Sequence, residues 1–187
     1  MKPLNKEKLN KIFEIYHKRF NSYIDNYKYL PESGSNRIYL RLYNNNNSVI
    51  ASVNTDFREN RAFIKINQNL KKVGVNVPEI YYYDLEEGIF LLQDLGDITL
   101  YNFCQENQDQ IKNIYKRVIN DMPFIQIKSA ENFNWEYCYP RSAFDYQSIL
   151  WDLQYFKSYF LRLSGINFDE QLLEDDFVLL ANHLLKA

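Results

Sequence analysis

Leu9, Ile12, Phe13, Tyr16 and Phe20 follow one another at i, i+3, i+4, i+7 and i+11, a single apolar stripe that predicts a helix over residues 4–20. Past Tyr27 the period shortens. Apolar and β-branched positions gather into short runs, and the candidate strands are 27–30, 38–43, 49–53, 80–84 and 89–93. Asn44-Asn45-Asn46-Asn47 reads as a solvated turn between the second and third strands, and Glu86-Glu87-Gly88 as the turn between the fourth and fifth. A helix interrupts the strands. Asp56 and Glu59 stand at the spacing of a capping box, and Ala62, Phe63, Ile66, Leu70 and Val73 recur at helical intervals behind them. Gly74 supplies the stop, and Pro78 bars any continuation. Three strands, a helix and two strands make a small sheet carrying one helix, not a series of parallel βαβ crossovers.

Beyond Gly96 the pattern turns helical. Ile111, Ile114, Tyr115, Val118, Ile119 and Met122 fit one helix, with Asn107 and Gln110 as its capping pair. A second helix is expected over 145–164, with Ile149, Leu150, Leu153, Phe156, Phe160 and Leu163 inward and Gly165 ending it. A third begins after Asn167, with Glu170 at the capping-box spacing, and carries Leu173, Phe177, Leu180 and Leu184. It meets no stop signal before Lys186-Ala187, so the chain is expected to end partway through its architecture. The fold class is therefore α+β: a small, mostly antiparallel sheet lobe over 1–95, then an incomplete helical lobe over 96–187. No internal repeat is present.

The chain has 187 residues, 46% hydrophobic and 25% charged, enough to bury a core. Lys and Arg number 22 against 24 Asp and Glu, a net charge of −2 that argues against a dedicated nucleic-acid binder. Cys104 and Cys138 are too few for a disulfide scaffold and lack a zinc spacing. Without an apolar run of membrane-spanning length or a signal-type leader, the expected location is the cytoplasm.

Nucleophilic and metal motifs are missing from the sequence. His17 and His183 stand without a neighbouring ligand type and read as surface or packing residues, and there is no H-E-x-x-H, G-x-S-x-G or P-loop. Two segments do carry candidate chemistry. Gly34-Ser35-Asn36-Arg37 forms a small polar turn between two strands; its successive N–H groups and the forked Arg37 donors suit an anion such as phosphate, although an ordinary hairpin with one glycine also accounts for it. Phe90-Leu91-Leu92-Gln93-Asp94-Leu95-Gly96-Asp97 runs an apolar strand into a glycine turn. That is a strand end whose backbone edge can pair with a planar heterocycle, or else a plain linker.

Taken in order, these stretches resemble the aminoglycoside phosphotransferase-like kinase family, and more closely its N-acetylmuramate/N-acetylglucosamine anomeric kinase-like bacterial branch. The matching residues are Gly34-Ser35-Asn36-Arg37-Ile38-Tyr39-Leu40-Arg41, Glu59-Asn60-Arg61-Ala62-Phe63, Gly74-Val75-Asn76-Val77-Pro78-Glu79-Ile80-Tyr81 and Leu91-Leu92-Gln93-Asp94-Leu95-Gly96-Asp97. They continue with Cys138-Tyr139-Pro140, Ala143-Phe144-Asp145 and Trp151-Asp152-Leu153-Gln154-Tyr155-Phe156. The resemblance implies a protein-kinase-like sheet lobe that binds ATP with magnesium. Gly34, Ser35, Asn36 and Arg37 would cover the phosphates, and the backbone at Gln93, Asp94 and Leu95 would hold the adenine. Glu59 would be the carboxylate of the helix beside the phosphates, unless the capping box with Asp56 accounts for it.

The sequence departs from the family pattern in two respects. Its third strand, Ser48-Val49-Ile50-Ala51-Ser52-Val53, lacks the lysine that grips the α- and β-phosphates, so either Arg37 or another basic group substitutes or phosphate binding is weak. The His-x-Asp-x-x-x-x-Asn loop and its magnesium ligands are also missing. The expectation is the N-terminal portion of an ATP-dependent sugar phosphotransferase that binds nucleotide but is inactive alone. The alternative is a non-catalytic interaction or scaffold protein derived from the same fold. Asp152 falls on the apolar stripe of its helix, where it either faces a sugar acceptor or makes a polar contact between helices. The last helix is expected to leave Phe177, Leu180 or Leu184 partly exposed, inviting dimerisation.

Overall fold

A computed structural model describes residues 3–31, 34, 36–45 and 47–186. Its fold is α+β. Strands β1 (Asn26–Tyr29), β2 (Ile38–Asn44), β3 (Asn47–Val53), β4 (Ile80–Asp84) and β5 (Ile89–Gln93) form one antiparallel sheet in the order β1-β2-β3-β5-β4. Helix α1 (Lys6–Phe20) precedes the sheet, and α2 (Phe57–Lys72) connects β3 to β4. All five strands and both helices lie within a residue or two of the positions that alternation and periodicity predict.

The central strands β2, β3 and β5 are buried on both faces. Leu40, Leu42, Val49, Ala51, Val53, Ile89 and Leu91 point to one side and pack against Ile12, Ile15 and Tyr16 of α1. Ile50, Phe90 and Leu92 point to the other, against Ile64 and Phe63 of α2. One residue out of step in β4, between Ile80 and Tyr82, is a bulge that sends both Tyr81 and Tyr82 to the α1 side. The β4–β5 turn depends on Gly88. Its φ is +63°, and a Cβ there would stand 1.9 Å from the Asn54 carbonyl oxygen.

Helix ends follow their caps with two corrections. Asp56 starts α2 by accepting the Arg58 and Glu59 amides, and Gly74, at φ +87°, follows its end. Helix α3 (Leu100–Glu106), which the periodicity did not signal, precedes α4 (Ile111–Gln126). Asn107 does not cap α4: its side-chain amide turns back to the Phe103 carbonyl at 2.9 Å and closes α3. Every residue of α4 is at least partly exposed, Ile119 and Met122 of its apolar stripe among them.

The chain divides into two compact units, Met1–Tyr139 and Pro140–Ala187. In the second, α5 (Tyr146–Phe156) starts at Asp145, widens into a π turn over Lys157–Leu161 and ends through α6 (Arg162–Ser164) at Gly165. Of its expected inward stripe Ile149 is buried, whereas Phe156, Phe160 and Leu163 are exposed. Helix α7 (Glu170–Leu184) is capped by Asp169 rather than Asn167, because the Asp169 carboxylate accepts the Gln171 and Leu172 amides at 2.9 Å. Of the three side chains among which exposure was expected, Leu180 and Leu184 are exposed and Phe177 is buried.

Candidate functional site

Alternation along β2 sends Arg37, Tyr39 and Arg41 to the α2 side of the sheet, opposite Leu40 and Leu42. A pocket of about 390 Å³ opens on this side. Leu30, Tyr39, Ile50 and Leu92 give it apolar walls, Pro31 and Pro78 border it, and residues 93–96 close it together with Arg41. Its wall is a flat apolar sheet surface, and its edge is a polar strand end.

That strand end is held by Asp94. One carboxylate accepts the Ser48 hydroxyl at 2.6 Å, the Arg41 guanidinium at 3.0 Å and the Gly96 amide at 2.9 Å, and Arg41 Nε lies 2.6 Å away as an ion pair. Burial alone would raise the Asp94 pKa; the Ser48, Gly96 and Arg41 donors outweigh it and hold the carboxyl below its ordinary value. Arg41 also donates to Asp97 at 2.8 Å, and its own pKa is raised by the Asp94 contact above all. Gly96, at φ +82°, lets the chain turn back to Asp94. The Gln93 amide is committed to the Glu79 carbonyl at 2.8 Å. Leu95 is 68% exposed, and its N–H makes no hydrogen bond among the described residues. Of these two amides, Leu95 N–H is the one without a hydrogen-bond partner among the described residues.

The other candidate residues sit at the opposite end of the same face. From Arg37 to Leu42, which is level with Gln93 across Val49, the strand advances about 17 Å at ~3.4 Å per residue. Arg37 is 8% exposed, its guanidinium 5.0 Å from the Phe63 ring centre and 5.6 Å from that of Phe90. It donates from Nε to Glu59 at 2.8 Å and from Nη2 to Asn60 at 3.2 Å. Glu59 thus completes an ion pair with Arg37. The capping box is only half formed, since the Asp56 amide donates to the Asn54 side chain instead. Gly34 and Asn36 are exposed, and a Cβ on Gly34 would meet nothing within 4 Å among the described residues. Ser35 lies outside the described residues.

Asn60, fully buried, extends this end inward. Its amide donates to the Asn54 carbonyl at 2.7 Å, and the Asn54 amide donates to the Gly88 carbonyl at 2.9 Å. Ser52, level with Phe90 on β3, is also buried, and its hydroxyl has no partner among the described residues. Sequence reasoning did not single out Arg41 or Asn60 as part of the site. Arg41 had a legible signal, a charge spaced by two from Tyr39 and by four from Arg37 on one strand face.

In the second unit Asp152 is exposed, not on the buried side of α5. The buried charge there is Lys157, which pairs with Glu174 and lies 3.4 Å from Glu170. Glu174 raises the Lys157 pKa against the opposing effect of burial. No protein-family model matches the chain, and no curated protein is significantly similar to it.

Proposed function

We propose that the α2 side of the sheet binds an adenine nucleotide and that the chain is a phosphotransferase-type, protein-kinase-like nucleotide lobe of the kind the aminoglycoside phosphotransferase-like resemblance implies. The observation that carries this is the 390 Å³ pocket whose apolar walls end at the Leu95 amide, with the Arg37–Glu59 pair farther along the same face. The flat walls suit a purine, and Leu95 N–H suits a ring-nitrogen acceptor. Triphosphate extending from the base runs toward Asn36 and Arg37. The sheet order, with α2 joining β3 to β4, also supports a kinase-like lobe. So does the Arg37–Glu59 pair, which takes the place of a strand lysine and its helix glutamate.

Arg37 then acts through two features. Glu59 and Asn60 fix its fork, and the two phenyl rings hold it in a slot where solvent does not dilute its field. Phosphoryl transfer is mostly positioning and charge stabilisation, which such a lobe contributes from the nucleotide side. Among the described residues no group of three or more acidic, histidine or cysteine side chains could hold a metal ion. The acceptor proposed for the whole enzyme is a small sugar, with Asp152 as its candidate contact on α5.

Titration calorimetry with ATP tests the proposal. Saturable one-to-one binding is expected, with thermal stabilisation that grows with ligand concentration. Leu30→Trp, which fills the pocket from its half-buried rim, is expected to abolish both effects. Absence of saturable binding in the native chain overturns the proposal, as does full binding by a folded Leu30→Trp variant.

A further inference from the structure

The first two turns of α2 work in two directions. Inward, Glu59 and Asn60 hold Arg37. Outward, the Tyr139 hydroxyl donates to Asp56 Oδ2 at 2.7 Å, and the Arg58 guanidinium lies 5.0 Å over the Tyr139 ring. Arg61 and Lys65 each lie 5.3 Å over the ring of Tyr137. Positions 58, 61 and 65 share one side of the helix, so the segment ending at Tyr139 is laid along two turns of α2.

Asp56 joins the two directions. Its Oδ1 accepts the Arg58 and Glu59 amides at 2.9 and 3.0 Å and starts the helix, while Oδ2 takes the tyrosine. Of the two residues whose amides Asp56 holds, Glu59 is the one whose carboxylate meets Arg37. Those amides and the Tyr139 hydroxyl keep the Asp56 carboxyl below its ordinary pKa, so Asp56 remains a charged acceptor near neutral pH. One carboxylate thus joins the Tyr139 hydroxyl to the Glu59 backbone. Tyr139 is also the last residue of the first compact unit, and the chain passes directly from it into Pro140.

We propose that Tyr139, supported by Tyr137, is a positioning residue for the nucleotide site, holding α2 in the register at which Glu59 meets Arg37. The binding consequence rests on the nucleotide reading above; the mechanical one does not. The ion pair is then not an independent property of Arg37 and Glu59: it is conditional on the segment docked along the outer side of α2.

Tyr139→Phe in the full chain tests this, because it removes the hydroxyl and leaves the ring over Arg58. Calorimetry with magnesium and ATP is expected to show affinity falling roughly threefold to tenfold. In a Glu59→Gln background, where the link is already weakened, the loss is expected to be under about twofold. Equal losses in both backgrounds, or none in either, overturn the proposal. If the native chain binds no ATP, the nucleotide reading fails separately and the proposal is judged by hydrogen exchange. Tyr139→Phe is then expected to speed exchange at the first-turn amides of α2 and at Arg37 while leaving α1 unchanged. Unaltered exchange at both of those places, or equal acceleration in α1, overturns it.

Discussion

Arg37 is a buried cation whose surroundings were assembled around it: a carboxylate, an amide and two aromatic faces. Replacing it by lysine keeps the charge but not the fork, so Arg37→Lys is expected to lose the Asn60 contact and to weaken ATP binding by about tenfold. Leu95→Pro makes a sharper test of the opposite end, because it deletes the unbonded amide of an exposed residue and leaves the pocket walls in place. It is expected to cost ATP affinity about tenfold with little change in melting temperature, measured by calorimetry and thermal unfolding. Asp94 adds a pH dependence. Its folded-state pKa lies below its unfolded one, so its stabilisation is complete above the ordinary carboxylate range and is lost as pH falls through the depressed value. An acid titration of melting temperature should therefore fall less steeply in Asp94→Asn than in the native chain.

Among the elements, the β4–β5 turn carries more than its own strands. Gly88 accepts the Asn54 amide and leaves room for the Asn54 carbonyl, which in turn receives Asn60. Gly88→Ala forces a Cβ into that carbonyl at a left-handed φ and is expected to cost roughly 2–4 kcal/mol in denaturant unfolding. The strands were legible because central strands buried on both faces leave short apolar or alternating runs between polar turns, as Leu40, Leu42, Ile89 and Leu91 do. Helix existence was equally legible, but the buried face was not. The stripe of α4 has the same periodicity as that of α2, yet only α2 has buried residues. Periodicity reports that a helix has an apolar side, not what lies against it. Asn107 and Asn167 misled for a related reason: several capping-type residues stood near each helix start, and spacing cannot say which side chain turns toward the open amides.

For the whole chain, the two ends of the candidate site were legible as segments but not as contacts. Glu59 had two readings of equal weight until Arg37 was placed 22 positions earlier in sequence and 2.8 Å away in space. The strand-face position of Arg41 was legible but its contacts were not, because its partners, Asp94 and Asp97, lie more than fifty positions along the chain. The second unit repeats that lesson with Lys157, whose carboxylates lie on α7 and at its start. Lys157 is buried, and Glu174 is partly exposed. Glu174→Gln leaves a shielded ammonium with the more distant Glu170, whereas Lys157→Met removes the charge that needs a partner. Glu174→Gln is therefore expected to lower the melting temperature more than Lys157→Met.

The wide turn at Lys157–Leu161 holds one residue more than an α-helix needs for the same advance. Surplus of that kind makes a chain tolerant of shortening at one place and intolerant elsewhere. Excising Ser158 should regularise the spiral while Arg162 still meets Glu170 and Gly165 still ends it; excising a residue one turn earlier should swing Lys157 about 100° away from its acidic neighbours.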